Sequence, residues 1–199
     1  MDTNPALLRI GCVVMAAGNA SRFGVNKLSA TVGGKKLIVR ALEALPRELL
    51  DHICVVTQYD EVERIARGMD FACIRNDHPD WGVSHTICLG TQALMEQSDA
   101  ILYLVADQPL LRRESVAREL DYFQQHPERI VAMSHDGVRG NPCIFPKRFF
   151  PELCALSGDV GGSAVIRRHA NDLLLFEVDA RELADVDTLQ TLHELNEEA

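Results

Sequence analysis

Three residues have the type and setting to act on a charged small molecule. Arg22 and Lys27 stand in the loop Ala16-Ala17-Gly18-Asn19-Ala20-Ser21-Arg22-Phe23-Gly24-Val25-Asn26-Lys27, directly after the apolar run Cys12-Val13-Val14-Met15. Asp107 follows a second apolar run, Ala100-Ile101-Leu102-Tyr103-Leu104-Val105, after one alanine. An arginine and a lysine in one loop supply positive charge to a polyanion. Ala16, Ala17 and Gly18 carry almost no side chain, so a flat base or a phosphate can approach the backbone closely, and Gly24 allows a backbone conformation that other residues resist. Two familiar phosphate loops are excluded: a dinucleotide fingerprint wants glycine where Ala20 stands, and a Walker A loop wants Lys-Ser/Thr where Val25 and Asn26 stand. The alternative for the loop alone is a glycine-rich turn beside solvated charges.

Positioning these groups requires buried parallel strands. Unbroken apolar runs with β-branched residues read as strands covered on both faces. They are expected at residues 12–15, 52–57, 71–74, 100–105, 130–134, 143–145 and 173–178. Amphipathic segments between them read as helices at residues 36–45, 60–67, 84–95, 113–125 and 188–196, with Asp60 and Ser84 as candidate N-caps. Residues 147–156 read as helical despite Pro151, and a glycine-rich loop at 157–162 opens another helix through His169. The alternation predicts an α/β fold, a three-layer doubly wound, mostly parallel sheet of about seven strands. Between residues 130 and 178 two helices follow each other without a strand, so part of the sheet there is expected to run antiparallel. The loop after residue 15 and Asp107 would then share the carboxyl edge of the sheet, where open α/β sheets bind ligands.

Composition narrows the partners. The chain of 199 residues, 47% hydrophobic and 25% charged, fits one globular domain spanning 1–199, without repeat or linker. A net charge of -9 argues against nucleic acid or an anionic membrane as partner. A small anionic ligand remains compatible where Arg22, Lys27, Lys35, Lys36 and Arg40 cluster. The first ten residues lack a basic and apolar leader pattern, so a cytoplasmic location is expected. The six cysteines are far apart and read as reduced core residues, with Cys143 beside Asn141 and Pro142 the exception, and the seven histidines show no metal-ligand spacing.

Five stretches, in order, resemble the molybdenum cofactor cytidylyltransferase branch of the MobA-like NTP transferase superfamily. They are the Ala16-Ala17-Gly18 loop with Ser21-Arg22-Phe23-Gly24 and Asn26-Lys27-Leu28; His78-Pro79-Asp80-Trp81-Gly82-Val83-Ser84; Asp107-Gln108-Pro109-Leu110; Gly140-Asn141-Pro142 with Phe145-Pro146; and Gly158-Asp159-Val160-Gly161-Gly162. Departures are Lys36, where a proline is usual, and Ser29-Ala30 in place of leucines. The resemblance implies a Rossmann-like nucleotidyltransferase fold and transfer of CMP from CTP, or another nucleotide from its NTP, to a molybdopterin-type acceptor with release of pyrophosphate. It further implies that Arg22 and Lys27 hold the triphosphate, that Ala16, Ala17, Gly18, Ser21 and Gly24 bind the nucleotide, and that Asp107 holds Mg2+. Asp187, just before the last helix, matches the family position of a second metal ligand and is equally a helix cap. Asn141 and Asp159 would line the acceptor pocket. Alternatives are guanylyl transfer on the same fold, or a non-catalytic carrier delivering molybdenum cofactor to a molybdenum hydroxylase.

Overall fold

The computed structural model describes residues 8–18 and 26–197. In chain order it contains β1 (Ile10–Ala16), a short hairpin of β2 (Thr31–Val32) and β3 (Lys35–Lys36), α1 (Leu37–Glu43), β4 (His52–Thr57), α2 (Asp60–Gly68) and β5 (Ala72–Arg75). Then come α3 (Val83–Leu94), β6 (Ala100–Val105), α4 (Arg113–Gln125), β7 (Ile130–His135), β8 (Val138–Pro146), α5 (Phe150–Cys154), α6 (Ser163–Arg168), β9 (Leu173–Glu177) and α7 (Leu189–Glu197).

Seven strands form one sheet in the order β5-β4-β1-β6-β8-β7-β9. All run parallel except β8, which is antiparallel to both β6 and β7. The expected antiparallel part of the sheet is this one strand. It follows β7 through a tight turn in which Asp136 (φ 48°) and Gly137 (φ 77°) both take left-handed backbone, the pairing that a two-residue hairpin needs.

Alternation along each strand builds two cores. Cys12 and Val14 of β1 and Leu102 and Leu104 of β6 face α1, α2 and α4, whereas Val13, Ile101 and Tyr103 face α3, α5 and α6. Burial on both faces is why these strands read as unbroken apolar runs. The α3 helix reaches the sheet through Gly90, where a Cβ would lie 2.4 Å from Val13 Cγ1. Gly90→Ala therefore has to push α3 off β1, and we expect it to cost about 1–3 kcal/mol. At about 2–4 °C of thermal midpoint per kcal/mol for a chain of this size, a circular dichroism melt resolves the loss. A midpoint unchanged within about 1 °C would contradict this account of the packing.

Local expectations fare unevenly. Asp60 is the first residue of α2, not its cap, and pairs with Arg75 at 2.5 Å. Ser84 is likewise inside α3, behind Gly82, with its hydroxyl donating to the Trp81 carbonyl at 3.4 Å. Residues 147–156 split into a 3-10 turn and α5, which places Pro151 in the first helical turn where its missing N–H removes no helical bond. Among the described residues, no helix is long and apolar enough to cross a membrane.

Candidate active site

From β1 the chain builds β4 and β5 on one side and then returns to place β6 on the other. That reversal opens a crevice at the carboxyl ends of β1 and β6, the location at which doubly wound sheets take ligands. A cleft of about 550 Å³ lies there, with Ala16, Ala17, Gly18, Lys27, Asp107 and Asp159 in its wall.

The neighbouring strand fixes the loop's backbone. Three consecutive side chains at the end of β4 donate to three consecutive carbonyls: Thr57 Oγ1 to Ala16 at 2.9 Å, Gln58 Nε2 to Ala17 at 2.8 Å, and the Tyr59 hydroxyl to Gly18 at 2.8 Å. Carbonyl and N–H of one peptide plane point in opposite directions. Anchoring the Ala17 carbonyl toward β4 thus turns the Gly18 N–H away from β4. Sequence reasoning overlooked Thr57, Gln58 and Tyr59; the available signal was a run of hydrogen-bonding side chains ending the strand parallel to β1.

Lys27 is positioned by its flanks. Asn26 Oδ1 accepts from Leu28 N at 3.1 Å and caps a 3-10 turn at Lys27–Ser29, while Leu28 is buried beneath it. The Lys27 ammonium donates to Asp107 Oδ2 at 2.6 Å and to Asp187 Oδ1 at 3.2 Å. Burial alone would lower the lysine's pKa, but Asp107 and Asp187 outweigh it and hold it above its ordinary value.

Asp187 is brought in by the segment before α7, whose Val186 is fully buried and donates its N–H to the Asp107 carbonyl at 3.0 Å. It is not the cap of α7. Thr188 takes that role, its hydroxyl accepting from Thr191 N at 3.1 Å. Asp185 belongs to the same acidic group, and sequence reasoning overlooked it. Desolvation and then repulsion from Asp107 push its carboxyl up to about 6. Repulsion is the firmer cause, since much of the side chain stays open to solvent.

Other expected residues are distributed differently. Ser21, Arg22 and Gly24 lie outside the described residues. The basic cluster does not converge: Lys35 pairs with Glu43, Lys36 with Glu61, and Arg40 donates to the Val32 carbonyl at 2.7 Å, leaving Lys27 as the described member that lines the cleft. Asp159 lines the large cleft, whereas Asn141 lines two adjoining cavities of about 170 and 520 Å³, so the two do not share one pocket. Asp159 is brought to the cleft by the contact of two loops. Gly82 (φ 85°) packs against Gly158 so closely that a Cβ would lie 2.3 Å from its carbonyl, and Ser84 N donates to the Gly158 carbonyl at 3.3 Å. Trp81 turns outward, 53% exposed, and stacks on His78 at 4.2 Å. Cys143, the cysteine that stood apart in the sequence, is buried, and desolvation pushes its thiol up to about 12, which disfavours the thiolate. His135, Asp136 and Glu177 come within 4.8 Å of one another on the surface, a grouping that spacing did not reveal; the Glu177 oxygens are already engaged by Ser134 Oγ and Asp136 N.

Comparison with known proteins bears on the family and the fold. The chain is 27% identical over 188 residues to the purine catabolism protein PucB of Bacillus subtilis (strain 168), covering 88% of this chain and 90% of PucB. It superposes on a Mycobacterium tuberculosis protein solved in complex with manganese with a TM-score of 0.79 at 20% identity, covering 96% of this chain and 100% of that one. It also superposes on molybdopterin-guanine dinucleotide biosynthesis protein A from Archaeoglobus fulgidus with a TM-score of 0.70 at 16% identity, covering 94% and 97%. These two likenesses concern the fold. Residues 12–173 match the model of the MobA-like NTP transferase domain, and the chain belongs to that family.

Proposed function

We propose that this protein transfers CMP from CTP to the phosphate of a molybdopterin-type acceptor, releasing pyrophosphate. The observation that carries the reading is the convergence of Asp107 and Asp187 on one cation, Lys27 Nζ, across the cleft from the Ala16-Ala17-Gly18 backbone. The main-chain groups of Ala16 to Gly18 hold the base. Lys27 has three ammonium donors, two engaged by carboxylates here, and the third is available to a phosphate oxygen. Arg22 adds a second cation to the triphosphate.

Two carboxylates drawn to one positive charge are a hard oxygen donor set of the kind Mg2+ takes together with substrate phosphates. Asp107 and Asp187 would hold the ion, whose bound charge offsets the negative charge growing on the phosphates. In the transfer an acceptor phosphate oxygen bonds to the α-phosphorus, and the bond from that phosphorus to the α,β-bridging oxygen breaks. Pyrophosphate leaves with the electron pair, so no proton need move and the protein's task is positioning and charge stabilisation. The manganese complex of a protein of the same fold and the name of the Archaeoglobus protein support the metal and the acceptor class.

A pocket that hydrogen-bonds one base rejects others by leaving buried polar groups unpaired, so CTP is expected to exceed GTP by about two orders of magnitude in kcat/KM. Equal CTP and GTP competing over limiting molybdopterin, with the product weighed by mass spectrometry, tests this. A guanine dinucleotide as main product overturns the base assignment, and no dinucleotide from any NTP overturns the enzyme in favour of a carrier.

A further inference from the structure

Beside the main cleft stands a cation that forms no ion pair among the described residues. Arg139, half-buried in β8, lies in the wall of both adjoining cavities. Its Nη2 donates to Ser163 Oγ at 2.8 Å and its Nη1 approaches Cys143 Sγ at 3.9 Å; it forms no ion pair with a described residue. The two neighbours are neutral, so the guanidinium keeps its full charge at the cavity wall. Gln108 lies in the wall of the larger cavity and is only 2% exposed. Its Nε2 donates to the Leu183 carbonyl at 3.2 Å, but its Oε1 is buried without a partner among the described residues. A buried acceptor left unpaired is costly, which marks it as awaiting a donor.

Register brings this cavity to the reaction. The antiparallel ladder of β6 and β8 runs from Ala100↔Pro146 to Tyr103↔Cys143. Beyond it, Arg139 shares the wall of the smaller cavity with Val105, the last residue of β6, and the wall of the larger one with Gln108 and Asp185, which lie within two residues of Asp107 and Asp187 in the chain. Asp136 and Asp185 also line the larger cavity, so it suits a ligand with a single anionic end and not a polyanion.

We infer that Arg139 binds the phosphomonoester end of the acceptor, and that Gln108 Oε1 takes an N–H or O–H from the acceptor's body. The acceptor class is then a small phosphomonoester rich in hydrogen-bond donors. The inference rests on the nucleotidyl-transfer reading for the reaction it serves, but not for the binding it requires.

The test is calorimetry on the full chain saturated with α,β-methylene CTP and Mg2+, which fills the main cleft, titrated with ribose 5-phosphate and with phenyl phosphate. Both probes should bind, ribose 5-phosphate more tightly because it carries hydroxyl donors. Arg139→Gln should weaken both by at least about tenfold, the scale of a lost charge-assisted hydrogen-bond pair, with the nucleotide analogue's affinity changed less than about twofold. Arg139→Lys, which keeps the charge, should retain part of the binding and guards against a folding artefact. Gln108→Met should remove the preference for ribose 5-phosphate while leaving phenyl phosphate bound. Failure of both probes to bind the wild-type protein, or equal binding to Arg139→Gln, overturns the inference. If the analogue itself does not bind, the nucleotidyl-transfer reading falls, and the Arg139 dependence measured without nucleotide still decides this one.

Discussion

Asp107→Ala is expected to lower the rate of pyrophosphate release by more than about a thousandfold, the loss of several kcal/mol of charge stabilisation at about 1.4 kcal/mol per tenfold. Its carboxylate is the more enclosed of the two that meet Lys27, with 20% of the side chain exposed against 60% for Asp187. A less hydrated carboxylate holds a cation in a medium of lower effective dielectric, so its removal should cost more than removal of Asp187. Folding should survive, because the structural tie at this position is the Asp107 carbonyl accepting from Val186 N, which alanine retains. Steady-state pyrophosphate release alongside a circular dichroism melt separates the two effects. Turnover within about threefold of wild type in a folded variant would remove Asp107 from the chemistry.

Lys27→Ala should lower kcat/KM by roughly two to three orders of magnitude, the range for one preorganised electrostatic contact. Two effects contribute: the triphosphate loses a cation, and Asp107 and Asp187 lose the ammonium that offsets their mutual repulsion. The second has its own readout. With the ammonium gone, the two carboxylates should bind Mn2+ more tightly in the absence of nucleotide, measured by electron paramagnetic resonance. Loss of rate without any change in Mn2+ affinity would assign Lys27 to the triphosphate alone; an unchanged rate would make it a solvated surface charge.

The parts of this architecture that were legible in the sequence share one physical origin. Strands covered on both faces must be apolar throughout, so β1, β4, β6 and β7 announce themselves, and a carboxylate following β6 has to emerge at the sheet edge. What stayed hidden depends on partners distant in sequence. Lys35, Lys36 and Arg40 looked like part of a basic cluster open to a small anionic ligand because charge does not reveal its partner, and Glu43, Glu61 and the Val32 carbonyl were the partners. The β2–β3 hairpin escaped because two-residue strands are too short to show a period, although Gly33 and Gly34, both at positive φ, are its turn. Thr57, Gln58 and Tyr59 hold the loop only because β4 lies beside β1, a pairing that composition does not encode. Arg139 is ordinary in sequence and becomes notable only once the fold places it in a cavity wall without an ion pair among the described residues.

The central proposal is that one cleft, lined by Ala16 to Gly18, Lys27 and Asp107, with Asp187 paired to Lys27, carries out nucleotidyl transfer from CTP to a molybdopterin-type phosphate. Pyrophosphate release from CTP, GTP, ATP and UTP, each with Mg2+ and each with and without molybdopterin, tests it most directly. Rapid release from CTP that depends on molybdopterin and vanishes in Asp107→Ala is the predicted result; no acceptor-dependent release from any of the four nucleotides would contradict it.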